Sequence, residues 1–356
     1  MFLKNCWYVA AWDHELIDGK LLSRRLLNEH VLLYRGESGR VVAMNDRCPH
    51  RGALLSQGRL EGDAVRCMYH GLKFEGGGKC VQIPGQDMIP PRMRVRTYPT
   101  HETGHLVWIW MGDAAQADIS KIVDLPYMTD PKWKGLPAYL HYDANYILIV
   151  DNLSDLAHLA FVHTNTLGGS EAYAYVSKPE SIERNERGYS LERWHMNTDP
   201  PPFHRKVIPD KHEKLDRRNH VTMYVPGIFS MATMLAPAGQ GAEKGVRVPG
   251  TREYRNCQFM TPETERTTHF FWKYLNDFEG EDTTISRSLL DSLIEGFMED
   301  KAIIERQQIT LEEDPGFEKQ MLAILADAPL VHFRRTLARL IDAEQASSAP
   351  VMPAGS

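Results

Sequence analysis

Residues 151–163, DNLSDLAHLAFVH, place two aspartates and two histidines in a stretch whose apolar residues otherwise recur as in a helix. Asp155 and His158 are three apart and would share a helix face. His158 and His163 are five apart, about 140° around a regular α-helix. If both bind one ion, the helix must widen to an i→i+5 turn or end near His163. A second constellation lies upstream: Cys48-x-His50, sixteen residues, then Cys67-x2-His70. Two thiols and two imidazoles on glycine-bearing loops suit either a structural zinc or a two-iron, two-sulfur cluster with both histidines on one iron. Zinc sites more often pair cysteine with cysteine and histidine with histidine. A further carboxylate is sought along SLLDSLIEGFMEDKAIIERQQ, where Leu289, Leu290, Leu293, Ile294, Phe297 and Ile304 form an apolar stripe. Asp300 falls within that stripe, whereas Asp291, Glu295 and Glu299 fall outside it. A carboxylate on a buried stripe is costly unless a metal or a cation such as Arg306 pairs with it.

These residues need two supporting domains, and 356 residues suffice for two cores. The first third reads as β structure. HVLLYRGESGRVVAMND is strand, turn, strand, and GHLVWIWMGD is another apolar strand. Glycines are dense between Gly52 and Gly85, which suits tight loops around a bound group. After about residue 115 the texture changes. RNHVTMYVPGIFSMATMLAP and RTTHFFWKYLNDF read as strands, and the segments from Thr284 and from His332 as amphipathic helices. APAGQGAEKGVRVPG reads as a mobile loop or lid, and 346–356 as a disordered tail. A net charge of -6 argues against nucleic acid or an anionic membrane as partner. No apolar run approaches the ~20 residues of a membrane span, and charge interrupts the opening too early for a signal peptide, so the expected compartment is the cytoplasm. Five cysteines do not read as a disulfide framework; Cys6, Cys80 and Cys257 read as small buried residues. With no G-x-G-x-x-G fingerprint and no third cluster motif, the chain is not expected to take electrons from NAD(P)H itself.

The segment CPHRG…CMYHG resembles the Rieske motif, C-x-H-x(15–17)-C-x2-H, and Asp155, His158 and His163 resemble the D-x2-H-x4-H motif of Rieske non-haem iron oxygenases. Ala53 and Tyr69 lie where respiratory Rieske proteins carry an extra disulfide, so the oxygenase and ferredoxin branches fit better. NCWYVAAW, YHGLKF, YILIVDNLSDLAHLAFVH and EDKAIIERQQ extend the likeness nearly end to end, toward the branch of vanillate and dicamba O-demethylases. The resemblance implies an α+β protein: an all-β Rieske [2Fe-2S] domain at 1–115 and a helix-grip catalytic domain at 116–345, with an antiparallel sheet and long helices. It implies a cluster on Cys48, His50, Cys67 and His70, and Fe(II) on His158, His163 and Asp300. Asp155 is similar to an aspartate that bridges His158 to His70 of the next subunit in a homotrimer. Asn152 would line the iron pocket or orient Asp155. Electrons would come from a separate reductase carrying flavin and a ferredoxin-type cluster. The implied reaction is O2-dependent O-demethylation of a methoxylated, vanillate-like benzoate; the alternatives are ring dihydroxylation, methyl hydroxylation of another aromatic acid or sulfonate, and a pure Rieske electron carrier. For the substrate, Phe161, Phe203, Phe229 and Phe297 are slot candidates, and His204, Arg205, His220, Arg255 and Gln258 are anchor candidates.

Overall fold

A computed structural model describes residues 1–17, 19–168, 170–171, 174–175, 181–208, 214–280 and 283–348. The chain forms two compact units, Met1–Met128 with Thr261–Glu265, and Thr129–Met260 with Arg266 onward. In the first unit, the uninterrupted apolar strands β1 (Trp7–Trp12) and β11 (Leu106–Trp110) pair antiparallel and are buried throughout, with β10 (Thr100–Thr103) beside β11. A second sheet has the order β2 (Leu22–Leu26), β3 (Glu29–Arg35), β4 (Val41–Asn45), β9 (Thr97–Tyr98). A third is a meander of β5 (Arg59–Glu61), β6 (Ala64–Arg66), β7 (Lys73–Glu75) and β8 (Cys80–Gln82). GESG turns β3 into β4, with Gly39 at φ +80°. The two Cys-His pairs occupy the loop after β4 and the loop joining β6 to β7.

The second unit is built on a seven-stranded antiparallel sheet with the order β12 (Pro137–Tyr142), β18 (Thr268–Asn276), β17 (Arg252–Pro262), β16 (Ile228–Pro237), β15 (Leu215–Tyr224), β14 (Gly188–Thr198), β13 (Ser181–Asn185). Helix α1 (Tyr146–Ser154) follows β12, and a single turn, α2 (Leu159–Val162), lies just beyond it. Helix α3 (Thr284–Glu313) sets the ring of Phe297 edge-on to Phe270 and Trp272 of β18, at centroid distances of 5.3 and 4.9 Å. Its buried face is Leu289, Leu293, Phe297 and Ile304, with Asp300 among them at 4% exposure. Ile294 is exposed and Leu290 is half-buried, so the apolar stripe is narrower than expected. Helix α4 (Ala328–Ser348) closes the described chain; Ala346–Ser348 of the expected tail are helical, and 349–356 lie outside the described residues. This is the expected α+β architecture. Among the described residues no helix is long and apolar enough to cross a membrane.

The glycine-rich loop after β16 packs Ala242 and Val248 against Trp194 and Met234. Those two side chains alternate with Thr233, which lines the cavity described below, and Arg193, which lines a smaller pocket beside it, so the loop covers the opposite face of the sheet and is not a lid on that cavity.

Candidate metal centres

The two Cys-His loops are built alike. Cys48 N–H donates to Ala53 O and Gly52 N–H to Cys48 O, at 2.8 and 2.9 Å; Cys67 N–H donates to Leu72 O and Gly71 N–H to Cys67 O, at the same two distances. Gly52 and Gly71 have φ of +72° and +74°, a backbone that costs glycine little. Gly71 also has no room for a side chain, because a Cβ there would meet Pro84 at 2.8 Å. Arg66 braces the second loop by donating from Nη1 to Gly71 O while pairing with Glu61. Both cysteines are 2% exposed, in a core with Leu55, Val65, Leu72 and Phe74. Burial, reinforced by the adjacent Cys67, pushes the Cys48 thiol up to about 11, while the backbone N–H groups of His50 and Arg51 point at its sulfur. The imidazoles of His50 and His70 lie at the surface, edge to face at 4.6 Å. Two buried thiols and two outward imidazoles fit a cluster whose inner iron takes sulfur and whose outer iron takes nitrogen. All five cysteines are free, and Cys80 and Cys257 are buried as expected.

In the second unit the helix breaks at Asp155, which has extended backbone angles (φ -114°, ψ 98°). A 3-10 turn, Leu156–His158, restarts the chain, and α2 ends with His163 as its C-cap. The helix therefore ends at His163, one of the two expected outcomes, without an i→i+5 widening. Asp155 does not share a helix face with His158: its carboxylate caps the 3-10 turn by accepting Ala157 N–H at 2.8 Å, and its backbone carbonyl, 2.5 Å away, accepts Nδ1–H of His158. A carbonyl only accepts, so Nε2 of His158 carries the free lone pair. Nδ1–H of His163 donates to Glu299 Oε2 at 2.6 Å, and the same carboxylate oxygen accepts Thr166 Oγ1–H at 2.7 Å. The loop after His163 reaches α3 because Gly296 leaves space for Leu167; a Cβ on Gly296 would sit 2.6 Å from it.

The two Nε2 atoms meet Asp300. Its Oδ1 lies 3.1 Å from Nε2 of His163 and 3.5 Å from Nε2 of His158, and it accepts Asn152 Nδ2–H at 3.0 Å. One ligand atom from each of His158, His163 and Asp300 lies within 4.8 Å of the others. Asn152 thus acts on Asp300, not on Asp155, and no Arg306 pairing occurs: Arg306 is exposed. Lone pairs of one buried and one half-buried imidazole facing a carboxylate repel unless a proton or a metal cation lies between them, and this donor set suits Fe(II). Burial lowers the pKa of His163, but Asp300 and Glu299 outweigh it and hold the ring above its ordinary value.

His158 and Asp300 line a cavity walled by Phe203, Phe229, Phe297, Leu153, Leu159 and Leu293. Alternate residues of three neighbouring strands supply its sheet wall: Arg217 and Asn219 from β15, Met231 and Thr233 from β16, Asn256 and Gln258 from β17. Of the slot candidates, Phe161 does not line it and is 54% exposed. Of the anchor candidates, His204 and Gln258 do. His220 and Arg255 have the wrong strand parity, Arg255 pairing with Glu253 and stacking on Trp133, and Arg205 turns away to Pro200 O. Sequence reasoning missed Arg217, Asn219 and Asn256, which strand alternation from Gln258 and its neighbours could have supplied.

Comparison with known proteins gives this geometry a family. Residues 6–99 match the Rieske [2Fe-2S] domain, and residues 142–343 match the vanillate O-demethylase oxygenase C-terminal domain. The chain belongs to the Rieske non-haem iron oxygenases. It is 45% identical to the toluene-4-sulfonate monooxygenase system iron-sulfur subunit of Comamonas testosteroni, over 98% of this chain and 100% of that one. It is 33% identical to the oxygenase component of dicamba O-demethylase from Stenotrophomonas maltophilia, over 97% and 99% of the two chains. The crystal structure of dicamba monooxygenase bound to 3,6-dichlorosalicylic acid superposes with a TM-score of 0.88 at 29% identity, covering 98% of this chain and 99% of that one. This Rieske oxygenase is therefore the oxygenase component of a monooxygenase, with a [2Fe-2S] cluster and a non-haem iron as cofactors. The zinc reading is set aside by the match to the Rieske [2Fe-2S] domain, and the pure electron carrier by the second domain with its group of three residues able to hold a metal ion.

Proposed function

We propose that this oxygenase inserts oxygen into a methyl or methoxy carbon of a small aromatic acid, with Cys48, His50, Cys67 and His70 holding the cluster and His158, His163 and Asp300 holding Fe(II). The observation that carries this reading is the convergence of three ligand atoms within 4.8 Å, two of them on residues that line an aromatic-walled cavity. When bound, the two metal groups supply electron delivery and dioxygen activation. The chain's residues do the rest. Asn152 fixes the Asp300 carboxylate, the Asp155 carbonyl and Glu299 fix the two ring tautomers, and Phe203, Phe229 and Phe297 hold an arene beside the ligands. Overall, one C–H becomes C–OH; the second oxygen atom leaves as water, with two electrons and two protons consumed. A methoxy substrate then loses formaldehyde and leaves a phenol. The electrons come from a separate flavin and ferredoxin-type reductase, since relatives are named as oxygenase components of larger systems. A cytoplasmic homotrimer with Asp155 linking His158 to His70 of a second copy completes the reading.

The higher identity to the toluene-4-sulfonate subunit favours methyl hydroxylation of an aryl sulfonate over vanillate-type demethylation. The test is metal and product analysis. The protein should carry about three irons and two labile sulfides per chain. With a surrogate reductase it should convert toluene-4-sulfonate or a methoxybenzoate to the alcohol or phenol. A colourless zinc protein, or one that yields ring diols only, refutes the proposal.

A further inference from the structure

Apart from the metal ligands, the polar side chains lining the cavity are His204, Arg217, Asn219, Thr233, Asn256, Gln258 and Tyr274, each at most 8% exposed. Asp300, a metal ligand, is the one acidic lining residue among the described residues. Three buried atoms in this set, His204 Nδ1, Asn256 Oδ1 and Gln258 Oε1, have no hydrogen-bond partner. Buried polar atoms left this way are destabilising until something entering the cavity pairs them. A carboxamide can turn either edge to a ligand, so Asn256 and Gln258 can each donate as well as accept. His204 is neutral at pH 7, its pKa held at about 3 by burial and by Arg217. The guanidinium of Arg217 is therefore the cavity's fixed positive charge.

The charge also has a position. Arg217 and Asn219 line a smaller adjoining cavity together with Arg193 and His195, and neither His158 nor Asp300 reaches it. Arg217 thus borders both the main cavity, lined by Phe203, Phe229 and Phe297, and a pocket that neither His158 nor Asp300 lines. Resting on the reading given above, we infer that the substrate is a monoanionic aryl acid and that Arg217 is its specificity-determining anchor. The acid group docks at Arg217 and Asn219, within reach of the buried amides. The ring lies along the phenylalanines, and a substituent distal to the acid lies toward His158 and Asp300. Neutral arenes lack the group that pairs the orphaned atoms, and cationic ones meet Arg217.

Calorimetric titration of the anaerobic, iron-loaded protein tests this without turnover, using toluene-4-sulfonate, 4-methylbenzoate and neutral 4-methylanisole as probes. At least one acid should bind about 10–100-fold tighter than 4-methylanisole, and Arg217→Met should abolish that margin while leaving 4-methylanisole binding unchanged. Arg217→Lys should keep part of the margin, which mere loss of packing would not predict. Equal binding of acid and neutral probes by the wild-type protein overturns the inference, and so does acid binding by Arg217→Met at wild-type strength. If Arg217→Met does not fold, the wild-type margin and the Lys variant still decide. Iron content is read separately: a protein that binds aryl acids but holds no mononuclear iron refutes the oxygenase reading and not the anchor, whereas a full iron complement with no acid preference refutes only the anchor.

Discussion

Replacing Glu299 with Gln should loosen the mononuclear iron without touching either of its histidines or Asp300. Glu299 lies outside the ligand set, yet its Oε2 accepts Nδ1–H of fully buried His163 at 2.6 Å and Thr166 Oγ1–H at 2.7 Å. A carboxylate there fixes the ring orientation and makes Nε2 a stronger donor. Loss of such a partner typically costs about 10–100-fold in metal affinity, or about 1.4–2.7 kcal/mol. Gln is nearly isosteric and its amide oxygen can still accept from His163, so Glu299→Gln removes charge while geometry survives. Glu299→Ala removes both and strands a buried N–H, adding about 1–3 kcal/mol. The expected order of iron affinity is wild type, then Gln, then Ala. It is measured by competition with a chromophoric iron(II) chelator on protein whose cluster absorbance is unchanged. Wild-type iron affinity in both variants would refute the idea that Glu299 orients His163.

Asp300→Ala should lose the mononuclear iron and keep the cluster spectrum, read by metal analysis and visible absorption. Asp155→Asn should keep both metals and lose turnover with the reductase; wild-type activity removes Asp155 from the electron path. Arg334→Ala, which breaks the ion pair that ties α1 to α4 through Asp151, should lower stability by about 1–3 kcal/mol in denaturant titration, discounted because the guanidinium is partly exposed. Acid should also loosen the second cluster loop. Glu61 is depressed from 4.5 to about 2 by Arg66 first among its partners, so its contribution is present above pH 4.5 and lost as pH falls through about 2. Glu61→Gln should therefore bleach at higher pH than wild type; identical bleaching curves exclude a role for this pair.

Much of the metal chemistry was legible because its spacing is local. The two Cys-His pairs sit in two nearby loops, one after β4 and one between β6 and β7, and the helix stripe singled out Asp300 although it lies 137 residues beyond its partner His163. What was not legible depends on contacts between distant segments. Glu299 falls off the apolar stripe, and only the loop carried by Gly296 brings His163 to it. Asp151 had no sequence explanation, because its partner Arg334 is 183 residues away on α4. His220 and Arg255 were plausible anchors by residue type, and strand parity turned both away from the cavity.

The break at Asp155 changes what the proposed electron bridge can mean. A carboxylate in direct contact with the iron-bound ring would be expected to set that ring's tautomer. Here the backbone carbonyl of Asp155 holds Nδ1–H of His158, and the carboxylate caps the next turn. The two duties are separated within one residue. Asparagine caps such turns about as well as aspartate, and the substitution leaves the carbonyl untouched. The Asn variant therefore preserves the turn, the ring tautomer and both metal sites, and removes a single negative charge. Buried Arg193 lies within electrostatic range of that charge. Any loss of turnover in the variant then reports on the charge of the carboxylate, not on the shape of the iron site.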